Sequence, residues 1–369
     1  MEATMSADRQ ILHVDMDAFF ASVEKVRRDV DDRPLVVCVY SGRNKDAGAV
    51  ATSDYQARDI GIHAGMAIRQ AKSLAEDSGK DVQFVPIDKE FYRMVSDQIR
   101  EEILSSYTST IEQASIDEAY LDLTDEVQNS EGLKDIAVSI QDEIREQESV
   151  SCSVGGGPNK LIAKIASDRD KPAGITIIEP DDIETFMRGL SLGDIHGIGD
   201  KTIAKLSDLG IGSVEELQEA DRSVLIDEFG RKTGIRLWKH AHGRDEEDVR
   251  AREQQQISRL TTLETSTRNV SVTEQYLEEV ITALYEEVTE RGLLFGRVVL
   301  LVVTGKNDMV TRSLSFPSPV DEKDQLRSAA YDLLSAYMDE SEAAVRRIGV
   351  RVADLHDGEG QRRLSGFMD

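Results

Sequence analysis

Positive charge is scarce in this chain: 44 lysines and arginines stand against 70 aspartates and glutamates, for a formal net charge of −26. A deficit of that size removes the overall basic footprint by which a nucleic-acid-binding domain is usually recognised. Bulk charge therefore offers no argument for such a partner. The acids are dispersed along the whole length, no long acidic block marks a disordered tail, and lysine is rarer than arginine. Dispersed acidity keeps a protein soluble by self-repulsion, the lever halophiles use, so a salt-adapted, haloarchaeal cell is expected, with an acidic mesophile as the alternative. Cysteine is nearly absent. Cys38 in Leu-Val-Val-Cys-Val-Tyr and Cys152 in Val-Ser-Cys-Ser-Val both lie in strand-like runs, which argues against a disulfide or a reactive nucleophile and for buried thiols. The six histidines show no metal-ligand spacing, and His240 and His242 read as ordinary surface residues. No run of about 18 or more uncharged apolar residues occurs, which excludes a membrane-spanning helix. The N-terminal Met-Glu-Ala-Thr-Met-Ser-Ala-Asp-Arg-Gln lacks the basic segment and apolar core of a secretory signal, so a cytoplasmic protein is expected.

What the chain does have is paired carboxylates in two unusual places. Asp15 and Asp17 stand in Ile-Leu-His-Val-Asp-Met-Asp-Ala-Phe-Phe (11–20), and Asp117-Glu118 in Ala-Ser-Ile-Asp-Glu-Ala-Tyr-Leu-Asp-Leu (114–123). Each pair interrupts a strong apolar strand pattern at its end or turn. If the two strands are neighbours, three or four carboxylates converge, and like charges that close cannot all stay ionised without divalent cations between them. That is the arrangement of a two-metal phosphoryl-transfer site, whose ions stand about 3.5–4 Å apart and clamp the attacking and leaving oxygens. Solvated turn acids are the plainer reading, and the strength of the flanking strand patterns argues against it.

At 369 residues the chain has room for two to four domains. Residues 10–15 and 34–40 read as strands, joined by a helix from Asp17 to Val30 with Phe20, Val23 and Val26 on one stripe. Gly48–Thr52 is a short strand, Ser53 caps a helix through Asp59, and Gly61 closes it. A helix over 88–106 leads to a strand, turn and strand over 110–123, a helix over 133–148, a strand over 150–154, a helix from Pro158 that carries Lys160 and Lys164, and a strand over 175–178. Strands and helices alternate without the order of a parallel sheet, so the class is α+β. From 180 to 244 the pattern is helical. His196-Gly-Ile-Gly199 before Lys201 has the form of a helix-hairpin-helix, whose glycines let backbone amides approach a phosphate at a helix N-terminus, and Phe229-Gly-Arg-Lys-Thr-Gly-Ile is a looser second copy. Residues 245–256 hold no apolar period and read as a tether. Beyond them, strands near 257–263, 297–303, 310–316 and 345–353 and helices near 273–291 and 321–338 form a second α+β domain. In its last strand Ile348, Val350 and Val352 share one face and Arg347 and Arg351 the other. With Arg297 and Arg312 on companion strands, that open face reads as a phosphate-binding surface.

The motifs Val-Asp-Met-Asp-Ala-Phe-Phe-Ala-Ser-Val-Glu (14–24) and Ala-Ser-Ile-Asp-Glu-Ala-Tyr-Leu (114–121) resemble those of the Y-family translesion DNA polymerases of polymerase IV type. The likeness continues through Gly-Ala-Val-Ala-Thr-Ser-Asp-Tyr-Gln-Ala-Arg (48–58), Lys160 to Lys171, the glycines at 197–199 and Arg-Arg-Ile-Gly-Val-Arg (346–351), nearly the whole chain. It implies a right-hand polymerase: palm 1–26 and 86–178, fingers 27–85, helical thumb 179–244, linker 245–256, little finger 257–354 and clamp-binding tail 355–369. It further implies that Asp15, Asp117 and Glu118, with the Met16 carbonyl, ligate two Mg²⁺, and that Thr52, Tyr55, Arg58 and Lys171 bind the triphosphate. Phe20 matches the ring that packs against the incoming sugar, with a core position on the helix stripe as the alternative, and Asp17 is left as an outer supporting acid. Gly197, Gly199, Lys201, Arg297, Arg312, Arg347 and Arg351 are the expected DNA contacts. Gln361, Leu364, Phe367 and Met368 resemble a sliding-clamp peptide, with Met368 in place of the second aromatic. The partners implied are primer-template DNA, deoxynucleoside triphosphates and a PCNA-like clamp, with the polymerase a monomer and no domain for a proofreading exonuclease. A nucleotide cyclase and a non-catalytic DNA-binding scaffold are the rival readings.

Overall fold

The computed structural model describes residues 9–30, 33–41, 46–251, 255–306 and 308–357. The chain divides into two units, Met1–Arg252 and Glu253–Asp369. Among the described residues no helix is long and apolar enough to cross a membrane.

The first unit is organised around β1 (Ile11–Met16), whose six residues are all buried. A central strand covered on both faces has no reason to alternate, and Ile-Leu-His-Val-Asp-Met does not. A turn at Ala18, with φ 45°, leads into α1 (Phe19–Arg28). Val26, expected on the buried stripe, is 46% exposed: two successive steps of three residues turn it about 120° away from Phe20 on a helix of 3.6 residues per turn. Strands β2 (Leu35–Tyr40) and β3 (Gly48–Ser53), short helix α2 (Tyr55–Arg58), α3 (Ile68–Ser78) and β4 (Gln83–Pro86) form a three-stranded sheet with its own apolar core, which includes Val36, Cys38 and Ile68. The cap of α2 is Asp54, whose carboxylate accepts from the Ala57 amide at 2.8 Å, and not Ser53, whose hydroxyl donates to the Ile62 carbonyl. Both residue types make good N-caps, so sequence alone misplaced the boundary by one.

Helix α4 (Lys89–Gln98), capped by Asp88, runs into a π-helical turn (Ile99–Ile103), followed by β5 (Ile111–Gln113) and β6 (Glu118–Asp122). Then follow α5 (Ser130–Glu148), β7 (Cys152–Gly157), α6 (Lys160–Ser167) and β8 (Ile175–Ile177). The five strands order as β5-β6-β1-β7-β8, and the antiparallel register sets Asp15 opposite Glu118 on one side and opposite Ser153 on the other. Both cysteines are free and buried, and burial pushes the Cys38 thiol up to about 11.

Helices α7 (Ile183–Arg188), α8 (Asp200–Asp208), α9 (Val214–Glu219), α10 (Arg222–Phe229) and α11 (Arg231–Ala241) enclose a further core around Met187, Leu206, Leu225 and Leu237. His240 and His242 are not free surface residues here: burial lowers the His240 pKa, and His242 Nδ1 lies 2.8 Å from the Trp238 carbonyl. The first half of the expected tether is docked as well. Val249 is 4% exposed in a cluster with Ile11, Tyr120 and Ala163, while Lys160 joins Glu112 to Glu247 at 2.8 and 3.5 Å. A single valine leaves no period to read, yet with a buried ion pair beside it the segment is anchored.

The second unit runs β9 (Gln256–Thr267), α12 (Val270–Glu290), β10 (Leu293–Thr304), β11 (Met309–Val320), α13 (Lys323–Glu340) and β12 (Val345–Asp357). Its antiparallel sheet orders β11-β10-β12-β9. Ile348, Val350 and Val352 are fully buried in one core with Leu277 and Leu284 of α12 and Leu334 of α13.

Candidate active site

Asp15 lies one residue before the end of β1, and Glu118 opens β6 directly opposite it. Asp117 occupies the turn just before, and its carbonyl accepts from the Met16 amide at 2.9 Å. The two acid motifs are therefore laid side by side by strand register. Asp15, Met16, Asp117 and Glu118 line one cavity of about 310 Å³. The same cavity takes in Phe20, Thr52, Tyr55, Arg58 and Lys171, so the predicted catalytic and nucleotide residues are brought together.

Two ammonium groups offset the negative charge. Lys164 Nζ sits 2.7 Å from Glu118 Oε1 and 3.3 Å from Asp15 Oδ2; Lys171 Nζ sits 2.8 Å from Asp15 Oδ2 and 2.7 Å from Asp168 Oδ1. Burial pushes the Asp15 carboxyl up to about 6, with the Glu118 charge adding to the rise and the two lysines opposing it. Burial would raise Glu118 as well, but the His13 ring and Lys164 outweigh it and hold that acid well below the usual carboxylate range. Ser115 Oγ donates to Asp117 Oδ1 at 2.5 Å. Among the described residues no three acids, histidines or cysteines are drawn together as a metal cluster.

Strand β1 ends at Met16, and Asp17, one residue beyond it, lines the same cavity as Asp15. Its buried carboxylate accepts from Ser153 Oγ at 2.8 Å, Tyr55 Oη at 3.2 Å and the Ala173 amide at 2.9 Å. Arg58, three residues after Tyr55, lies over that ring at 4.8 Å and donates from Nε to the Ser53 carbonyl. Sequence reading missed Lys164 as a partner of the acids, and also Asp168, Ser115 and His13. The one signal available for Lys164 was its place four residues after Lys160 in a chain where lysine is rare; even so, Lys160 turns to Glu112 instead.

The expected DNA contacts separate into two groups. At the thumb, Gly197 adopts φ 88°, Gly199 caps α8 and Lys201 is exposed in its first turn. In the second unit Arg347 and Arg351 lie on the face of β12 away from Ile348, and Arg297 joins that face, its register partner being Ala353. There Arg297 is engaged by Asp354, with Nη2 2.6 Å from Oδ2 and Nε 3.0 Å. Arg312 is a correction. It pairs with Leu300, shares the helix side of β11 with Val310 and Leu314, and binds Glu340 at 2.8 Å. A displacement of one residue sends a side chain to the opposite face of a sheet, and Ser313 takes the open side. Gln361, Leu364, Phe367 and Met368 lie outside the described residues.

Residues 14–168 match the impB/mucB/samB family, residues 254–365 its C-terminal domain, and residues 193–245 the DNA polymerase-iota thumb domain. The DNA polymerase IV of Methanosarcina acetivorans is 38% identical over 368 residues, covering 97% of this chain and 99% of the relative. A Y-family DNA polymerase chimera of Dbh and Dpo4 superposes with a TM-score of 0.87 at 34% identity, covering 94% of this chain and 99% of that one. An insertion ternary complex of Dbh DNA polymerase gives a TM-score of 0.70 at 34% identity with the same coverage. Motifs, strand register and whole-chain similarity agree, and the chain belongs to the Y-family DNA polymerases of the polymerase IV, DinB-like type.

Proposed function

We propose that this low-fidelity, DNA-directed translesion polymerase adds deoxynucleotides to a primer 3′ end at the Asp15–Asp117–Glu118 cavity, with two Mg²⁺ ions held by these acids and the Met16 carbonyl. The observation that carries the assignment is the cross-strand pairing of Asp15 with Glu118 beside Asp117 in one cavity. The donor set fits: hard carboxylate oxygens suit Mg²⁺, and two lysine ammonium groups already lie where negative charge demands cations. When bound, the ions lower the pKa of the primer hydroxyl and neutralise the triphosphate. The chain's own groups do the rest. Arg58 offers forked bonds and Lys171 a point charge to phosphate oxygens. Tyr55 stays a protonated donor, since burial and the Asp17 charge push its phenol up to about 12. Phe20 excludes a ribose 2′-hydroxyl by ring volume.

Primer-template DNA is held by the thumb glycines with Lys201 and by Arg347 and Arg351 of the little finger. This reading is supported by the complexes reported for Dbh, one an insertion ternary complex and another a post-insertion binary complex. A cyclase leaves the thumb unexplained, and a scaffold has no use for Asp15, Asp117 and Glu118 together. Replacing Asp117 or Glu118 by alanine is expected to lower nucleotide addition about a thousandfold or more, because transition-state charge loses its compensation, while primer-template affinity stays largely intact. Primer extension on intact and damaged templates, alongside a DNA-binding titration, checks this; wild-type extension by both variants removes the assignment.

A further inference from the structure

Phe20, Glu24 and Arg28 recur at four-residue intervals along α1 and so share one side of it. Glu24 has no exposed surface at all, an expensive place for a carboxylate unless donors are supplied. They are: Tyr92 Oη donates to Oε1 at 2.9 Å, Arg28 Nε to Oε2 at 2.5 Å, and Arg27 Nη1 lies 3.6 Å from Oε1. Tyr92 reaches across from α4 and is itself fully buried. Its ring is stacked on that of Phe20, with centroids 4.5 Å apart and planes inclined by 18°. A tyrosine tethered by its hydroxyl at residue 24 must lay its ring over the preceding turn of the helix, where Phe20 stands.

We infer that Tyr92 and Glu24 are positioning residues for sugar selection: the Tyr92–Glu24 hydrogen bond holds the tyrosine ring as the wall behind Phe20. The inference rests on the reading of Phe20 as the sugar-facing ring. Steric exclusion works only when the excluding group cannot recede, and a ring backed by another ring in a close-packed interior cannot recede without opening a void. Apolar filling would occupy the same volume, but would leave the backing ring free to slide along the helix. The carboxylate with its arginine clamp fixes the far end of Tyr92 in both distance and direction, because charge-assisted hydrogen bonds are short and directional.

The test is the ratio of kcat/KM for CTP to that for dCTP opposite template G. Phe20→Ala should raise this ratio by orders of magnitude. Tyr92→Phe, which keeps the stack and loses the tether, should raise it about fivefold, the equivalent of one ordinary hydrogen bond, and Tyr92→Leu should raise it further. Glu24→Ala should behave like Tyr92→Phe. Glu24→Gln should give a ratio between those of Glu24→Ala and the wild type, since its amide oxygen still accepts from the tyrosine but the arginine clamp is lost. In a Phe20→Ala background, Tyr92→Phe should leave the ratio unchanged, because the wall then has nothing to back. If Phe20→Ala raises the ratio while Tyr92→Phe and Glu24→Ala leave it at the wild-type value, the positioning role is overturned and the reading of Phe20 stands. A proportional fall in both activities overturns it equally. If Phe20→Ala itself leaves the ratio unchanged, Phe20 is not the sugar-facing ring and both readings fail.

Discussion

Asp17 shows how a carboxylate can line the proposed active-site cavity while its oxygens are taken up by the protein's own donors. It lies just past the end of β1, lines the same cavity as Asp15, and collects a serine hydroxyl, the Tyr55 phenol and the Ala173 amide. Through Tyr55 it steadies one side of the proposed nucleotide pocket, and through Ala173 the segment that carries Lys171. Asp17→Ala leaves three donors without their acceptor at a position 2% exposed. A stability loss of about 2–4 kcal/mol is expected, given roughly 1–3 kcal/mol for each polar group buried without a partner and some relief by water. The KM for the incoming nucleotide should rise about tenfold, reflecting looser positioning. Denaturant unfolding and steady-state kinetics measure the two effects separately; an unchanged nucleotide KM would leave Asp17 a purely structural residue.

At the scale of elements, the closeness of α6 to the sheet decides where Lys164 points. A β-carbon at Gly155 would lie 2.1 Å from the Ala163 carbonyl and 2.2 Å from the Ser167 amide, so β7 and α6 touch backbone to backbone and only glycine fits. The helix is thereby held against the strand paired to β1, with Lys164 over the Asp15–Glu118 pair. Gly155→Ala forces the two apart and is expected to destabilise the first unit by about 3 kcal/mol, the upper end for overpacking. Extension should fall along with it, because Lys164 and Asp168 shift together. Thermal unfolding of the variant, compared with Ala163→Gly as a control on the same contact, tests this: a wild-type Tm for Gly155→Ala would mean that the helix has room to move. Sequence reading stopped this strand at Val154, since glycines weaken a strand pattern. The three that follow are where the close approach happens.

Over the whole molecule, the proposed DNA contacts reconcile acidity with DNA binding by placing cations rather than accumulating them. Lys201 stands at a helix start in the first unit and Arg347 and Arg351 share one sheet face in the second, in a chain whose acids are dispersed along its whole sequence. The proposed clamp tail belongs to this scale too. Truncation after Gly360 should preserve distributive extension and remove stimulation by the cognate sliding clamp, because a short tether turns each return to the primer end into an intramolecular event at roughly millimolar effective concentration. Leu364 and Phe367 would carry the contact as apolar anchors on a polar segment. Extension with and without clamp for full-length, truncated and Leu364→Ala/Phe367→Ala proteins measures it, and equal stimulation of all three would show that the spacing is coincidental.

Local chemistry was legible from sequence alone: the interrupted strands with their acid pairs, the α+β alternation of both units, the thumb glycines and the buried thiols. Each depends on residue type and on periods of two or 3.6, which a linear chain carries openly. Register and reach were left to the tertiary structure. Only strand pairing set Glu118 against Asp15, only a one-residue offset in β11 turned Arg312 toward Glu340, and only packing drew residues 245–251 onto the sheet. The same holds for Tyr92 and Glu24, which are 68 residues apart and meet behind Phe20. Such contacts join segments whose own patterns say nothing of each other, and the free energy that selects among pairings comes from burial shared between them.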